Sequence, residues 1–178
     1  MEGGQQVIRN LCLICALAVI SAPGYAQQPA AAGGTMTPVQ RADSAPKDTL
    51  KNPYKDTDAA AVKAGQQLFN SAACSGCHGG GGGGGMCPPL TDGVWVYGGD
   101  DDTLFRLVAY GSQILQSKGY SRHAFENVVA PMPAMGQVVK TDDDLWRILT
   151  FVRSVYHGPA ECKYGCKSGG DDGGGTAH

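Results

Sequence analysis

Three stretches of this chain repeat apolar residues at helical spacing. None alternates apolar and polar residues in the manner of a half-buried strand. The first stretch covers residues 58–75. Val62, Gly65, Phe69 and Ala72 or Ala73 share a face, and Thr57 or Asp58 can cap its start. The second covers about residues 101–110, with Leu104, Leu107 and Val108 as its stripe and Gly111 as its stop. The third is capped by Thr141, and Asp142, Asp143 and Asp144 fill its first turn, where carboxylates meet the positive end of the helix dipole. Leu145, Ile148, Leu149, Val152 and Val155 form its apolar face, widened by Trp146, and it ends near Tyr156. Asp100, Asp101 and Asp102 read as a solvated cap for the second helix. Gly65 inside the first helix costs about 1 kcal/mol against Ala. A close crossing with the last helix would account for it, with Phe69 and an aromatic packing alongside. The expected fold class is therefore all-α, with about three main helices and the first and last crossing.

The flanks differ in composition. Arg9 precedes an apolar run at residues 11–20 that is too short to span a bilayer, and Gly24-Tyr25-Ala26 ends in a small residue. Residues 1–26 thus read as a secretory signal peptide. Residues 27–55, rich in Ala, Pro, Gly, Thr and Gln, read as a flexible leader, and residues 167–178 as a disordered glycine tail. Residues 56–166 remain as one small domain with a modest apolar core. A net charge of −2 gives no electrostatic footprint for nucleic acid. The expected compartment is the periplasm, with no stable membrane span after cleavage.

The chemistry concentrates at Cys74-Ser75-Gly76-Cys77-His78, which directly follows the first helix. Two thiols three positions apart, with histidine next, have the spacing for covalent attachment of a c-type haem, and the histidine can then ligate iron. The competing chemistry is a zinc site, but the downstream pair, Cys162 and Cys166, brings no histidine at finger spacing. Signal cleavage would leave Cys74, Cys77, Cys87, Cys162 and Cys166. Haem takes two of them, and an odd thiol remains. Cys162 can pair with Cys166, or Cys87 with either. For the second axial position the candidates are Met86, Met132, Met135, His123 and His157. Met132 is favoured because Pro131 and Pro133 stiffen the backbone on both sides of it. Histidine plus methionine saturates the iron and raises its potential, which argues for an electron carrier and against an enzyme such as a haem peroxidase. After His78 come seven glycines, then Met86-Cys87-Pro88-Pro89-Leu90. Pro88 or Pro89 can offer a carbonyl to the His78 ring, and Leu90 can pack on the porphyrin. Trp95 and Tyr97 can reach a haem propionate, or Trp95 can simply pack.

The order CSGCH, PPL, a methionine in a proline-bounded loop, then LWRILTFVRS resembles class I c-type cytochromes over about residues 57–157. The resemblance implies a small cytochrome c fold around one covalent haem c. It implies Cys74 and Cys77 as thioether attachments, His78 and Met132 as axial ligands, and Pro88 as the carbonyl partner of His78. Cys87 stands where that family places a glycine. The glycine run, VWVYGGDDDTLFRLV, ENVVAPMPAMG and DDDLWRILTFVRS are more narrowly similar to the cytochromes that accept electrons from PQQ-dependent methanol dehydrogenases, above all the lanthanide-type enzymes. That similarity implies a periplasmic one-electron carrier between such a dehydrogenase and a downstream cytochrome or oxidase. The alternatives are a general c-type carrier or a cytochrome subunit detached from another oxidoreductase.

Overall fold

In the computed structural model of the chain, residues 35–124, 126 and 129–165 are described. They contain five α-helices and one short 3₁₀ turn, with no strand among them. The helices are α1 (Pro38–Ser44), α2 (Ala59–Ser71), α3 (Cys74–His78), α4 (Asp101–Ser117) and α5 (Asp142–Ser154). The all-α expectation holds, and the three long helices are those that the apolar spacing marked. The proposed signal peptide and glycine tail lie outside the described residues.

The crossing of α2 and α5 organises the core. Asp58 caps α2 by accepting from the amides of Ala60 and Ala61, and Thr141 caps α5 by accepting from Asp144. Gly65 faces the backbone of α5 so closely that a methyl group there would lie 1.9 Å from the carbonyl oxygen of Arg147. Only a residue without a side chain allows that approach. One turn further on, the rings of Phe69 and Phe151 pack with centroids 5.2 Å apart. Leu145, Ile148, Leu149 and Val152 are buried along the apolar face of α5, and Trp146 packs on Phe105 of α4 at 4.3 Å.

Three local expectations are corrected. The first helix does not run on into Cys74: α2 ends at Ser71, and Ala73 takes a left-handed conformation (φ 61°) that turns the chain before α3. Residues 27–55 are not flexible throughout. Thr37 and Gln40 form a capping box for α1, and Ala42 and Leu50 are buried in the core. The segment shows no apolar period because charge holds it down. Arg106 of α4 donates to the carbonyls of Ala42, Ala45 and Pro46, and Asp102 accepts from the amide of Leu50. Asp102 and Arg106 form a buried ion pair at 2.7 Å, and the guanidinium helps to hold the Asp102 carboxyl below the usual range against the opposing effect of burial. Of the acidic run at 100–102, Asp100 does cap α4, but Asp102 is 1% exposed and therefore not solvated.

The break in α4 positions the methionine loop. Gly111 sits at φ 74°, ψ 166°, which breaks the helix where its spacing had suggested a stop, but the chain does not become irregular there: the helix resumes beyond the break and runs to Ser117. The amide of Ser112 would otherwise bond to the carbonyl of Val108; it donates instead to the carbonyl of Met132 at 2.9 Å. The carbonyls of Val108 and Ala109 accept from the amides of Met135 and Gly136. Two backbone segments thus exchange the bonds that a continuous helix would have kept for itself.

Candidate haem-binding site

A cleft open to solvent lies among α2, α4, α5 and the two irregular segments. Its walls are largely apolar, built by Phe69, Leu104, Leu107, Ile148, Leu149 and Val152 from the three long helices. Cys74, His78, Pro88, Leu90, Trp95 and Met132 line it too. Of the seven residues expected at a cofactor, the one that is not in the wall is Cys77.

His78 is placed by α3 and fixed from behind. Its Nδ1 lies 2.8 Å from the carbonyl oxygen of Pro88. With Nδ1–H donating there, Nε2 keeps its lone pair for a metal, and the hydrogen bond strengthens the imidazole as a donor. Met132 reaches the cleft from a different element, the proline-bounded loop docked on α4. Its neighbour Met135 packs against the apolar core instead. His123 and His157 are exposed and take no part in the cleft wall, and Met86 is 61% exposed. The proline-bounded position is therefore the one from which a thioether meets the cleft.

Trp95 lines the cleft, but its indole N–H is already committed. It donates to the carbonyl of Cys162 at 3.0 Å, and the ring stacks on Tyr156 with centroids 5.3 Å apart. Of the two roles open to Trp95, this arrangement is the packing one, with the N–H engaged by backbone. The cause is the segment after α5, which folds back over the indole. Arg153 joins the same layer, with its guanidinium over the Trp95 ring and an ion pair to Asp101 at 3.2 Å. Tyr97 is buried, and its hydroxyl accepts from Gln116 at 2.6 Å.

Sequence reasoning missed Glu126 and Arg122, which also line the cleft. Burial, and then the nearby Asp92 carboxylate, push the Glu126 carboxyl up to about 7, so it keeps its proton nearly to neutrality. No apolar period marks either residue, and although Glu126 opens the segment ENVVAPMPAMG, its place in the cleft wall was not expected.

The thiols are also distinguishable. Burial raises the Cys74 thiol above its ordinary value. Cys87 is a free thiol, which rules out its pairing with Cys162. Cys162 is disulfide-bonded, and Cys166 lies outside the described residues.

Comparison with known proteins defines the class. The family model for cytochrome c matches residues 62–156, and the chain belongs to the cytochrome c family. The cofactor of that family is covalently bound haem c, and the cleft has the shape and donors for it: apolar walls, a thiol, and an imidazole with one free nitrogen.

Among its relatives is cytochrome c-L of Methylorubrum extorquens, 28% identical over 116 residues, which cover 64% of this chain and 49% of that protein. The CcoP subunit of the cbb3-type cytochrome c oxidase of Rhodobacter capsulatus is 42% identical over 57 residues, 30% of this chain and 19% of the subunit. The chain thus spans between about a fifth and a half of the curated relatives that it matches. The crystal structure of cytochrome CL from the marine methylotroph Methylophaga aminisulfidivorans aligns with a TM-score of 0.47 at 28% identity, covering 74% of this chain and 73% of that one.

Altering the Gly111 break should loosen the methionine loop. In Gly111→Ala the new methyl group would lie 2.6 Å from the amide nitrogen of Ala134 and 2.7 Å from the carbonyl oxygen of Met132. A positive φ costs a side-chain-bearing residue about 1–2 kcal/mol in addition. Exogenous imidazole should then displace the sulfur roughly tenfold more readily, a shift of about 1.4 kcal/mol. Titration followed in the visible spectrum would show this, and unchanged affinity would disconnect the helix break from the loop.

Proposed function

We propose that the chain is an exported monohaem cytochrome that carries single electrons and has no catalytic site of its own. Cys74 and Cys77 would hold the haem through thioethers, and His78 and Met132 would ligate its iron. The carrying observation is that His78, held by Pro88, and Met132, held on the broken α4, both line one apolar cleft. When bound, the haem supplies reversible one-electron chemistry at its iron. This chain's residues hold the two ligands before and after transfer, so little reorganises. Leu90, Leu104 and Val152 exclude water from the buried part of the cleft.

The donor in this reading is a PQQ-dependent methanol or alcohol dehydrogenase of the lanthanide type, and the acceptor is a downstream cytochrome or oxidase. The resemblance of the glycine run and the segments around Asp100, Met132 and Asp143 supports the donor, as does kinship with cytochrome c-L. The signal-like pattern before Gln27 supports a periplasmic location, and no described helix is long and apolar enough to cross a membrane. The shorter match to CcoP favours a second reading, a cytochrome subunit of another oxidoreductase.

Rapid mixing of the oxidised cytochrome with purified dehydrogenases separates these readings. Reduction by a methanol dehydrogenase with its substrate is expected. The absence of reduction there, with brisk reduction by another donor, would refute the assignment of the donor.

A further inference from the structure

The glycine run folds back onto the attachment motif. The amide of Gly84 donates to the carbonyl of His78 at 2.9 Å, and the amide of Cys87 donates to the carbonyl of Cys77 at 3.2 Å. Gly85 permits this return, because a side chain there would lie 2.8 Å from the same Cys77 carbonyl oxygen. A hydrogen bond of that length keeps the α-carbons of Cys77 and Cys87 within about 7 Å, a span that a disulfide can close. Burial, and then the neighbouring Cys77 thiol, push the Cys87 thiol up to about 11. Cys77 is also the motif residue that does not line the cleft, whereas Cys74 and His78 do.

We propose that, in the haem-free chain, Cys77 and Cys87 close a disulfide that withholds one attachment thiol from the haem until it is reduced. The inference rests on the reading of Cys77 as an attachment thiol. Both S–H bonds break and one S–S bond forms. Two protons and two electrons pass to a protein or small-molecule disulfide, which becomes a pair of thiols. A thiol that holds its proton tightly makes a disulfide that resists reduction, because its reduced form gains no stability as thiolate. Reduction, by a dithiol that is itself oxidised to a disulfide, returns Cys77 for addition to a vinyl group. Cys87 is then left as a free thiol beside the finished thioether.

The test uses the full chain expressed without haem-attachment machinery and exposed to oxidised glutathione. Non-reducing peptide mapping should recover residues around Cys77 joined to those around Cys87. With the machinery present, Cys87→Ser should carry haem in a larger fraction of chains when reductant is limiting, and in the same fraction when it is abundant. A Cys74–Cys77 disulfide alone, or three free thiols, would overturn the proposal. So would haem loading of Cys87→Ser that needs as much reductant as the parent chain. A chain that takes no haem under any condition, with or without Cys87, would instead refute the attachment reading on which the proposal rests.

Discussion

Met132→Ala should convert a six-coordinate low-spin haem into a high-spin one that binds added ligands. Met132 is the methionine that meets the cleft, and no histidine stands in the described wall besides His78. Removing the thioether therefore leaves an axial position without a protein donor. Methionine raises the potential of a c-type haem, so the potential should also fall. A drop on the order of 0.1 V is expected, a fraction of the roughly 0.8 V that axial ligands span across haem proteins. Met135→Ala serves as the contrast. Met135 packs on the core, so its loss should leave the spectrum unchanged and lower stability by about 1–3 kcal/mol. Optical spectra and potentiometry of the two variants check the assignment. If Met135→Ala changes spin state and Met132→Ala does not, the ligand has been misassigned.

Gly65→Ala should be the most damaging single methyl group that can be added to the fold. The added carbon would lie 1.9 Å from one backbone atom of α5 and 2.6 Å from another, with Phe151 Cβ at 3.0 Å. The first two contacts are backbone, so no side-chain rotation relieves them. Helix propensity alone would favour Ala by about 1 kcal/mol. Overpacking costs about 1–3 kcal/mol in ordinary cores, and this contact lies at or beyond the upper end. The helices must separate, and the Phe69–Phe151 contact and the floor of the cleft separate with them. A fall of about 10–20 °C in melting temperature is expected for a domain of this size. Thermal unfolding followed by circular dichroism measures it, and a melt within a few degrees of the parent would mean that the crossing is not tight.

What was legible in the chain follows from how local the cause is. Apolar spacing marks α2, α4 and α5 because each presents one stripe to one core. The close crossing could be read at Gly65 because a glycine inside a good helix needs a reason. The motif at Cys74 to His78 and the prolines around Met132 are equally local. The ordering of residues 37–50 was not legible, since its cause is Arg106, some 60 residues away in sequence, gathering carbonyls that carry no side-chain signal. The partner of the Trp95 indole was not legible for the same reason: it is a carbonyl 67 residues further on. Nor does the spacing of cysteines show that Cys87 returns to Cys77, because the path through the glycines is decided by backbone hydrogen bonds.

Every role proposed for this chain requires haem joined at Cys74 and Cys77. Mass spectrometry of the mature protein from a host with working attachment machinery, followed by proteolysis, tests this directly. The predicted result is an intact mass heavier by one haem, with the added mass on the peptide that contains Cys74 and Cys77. A coloured protein whose haem lies on another peptide, or a colourless one with both thiols free, would contradict it.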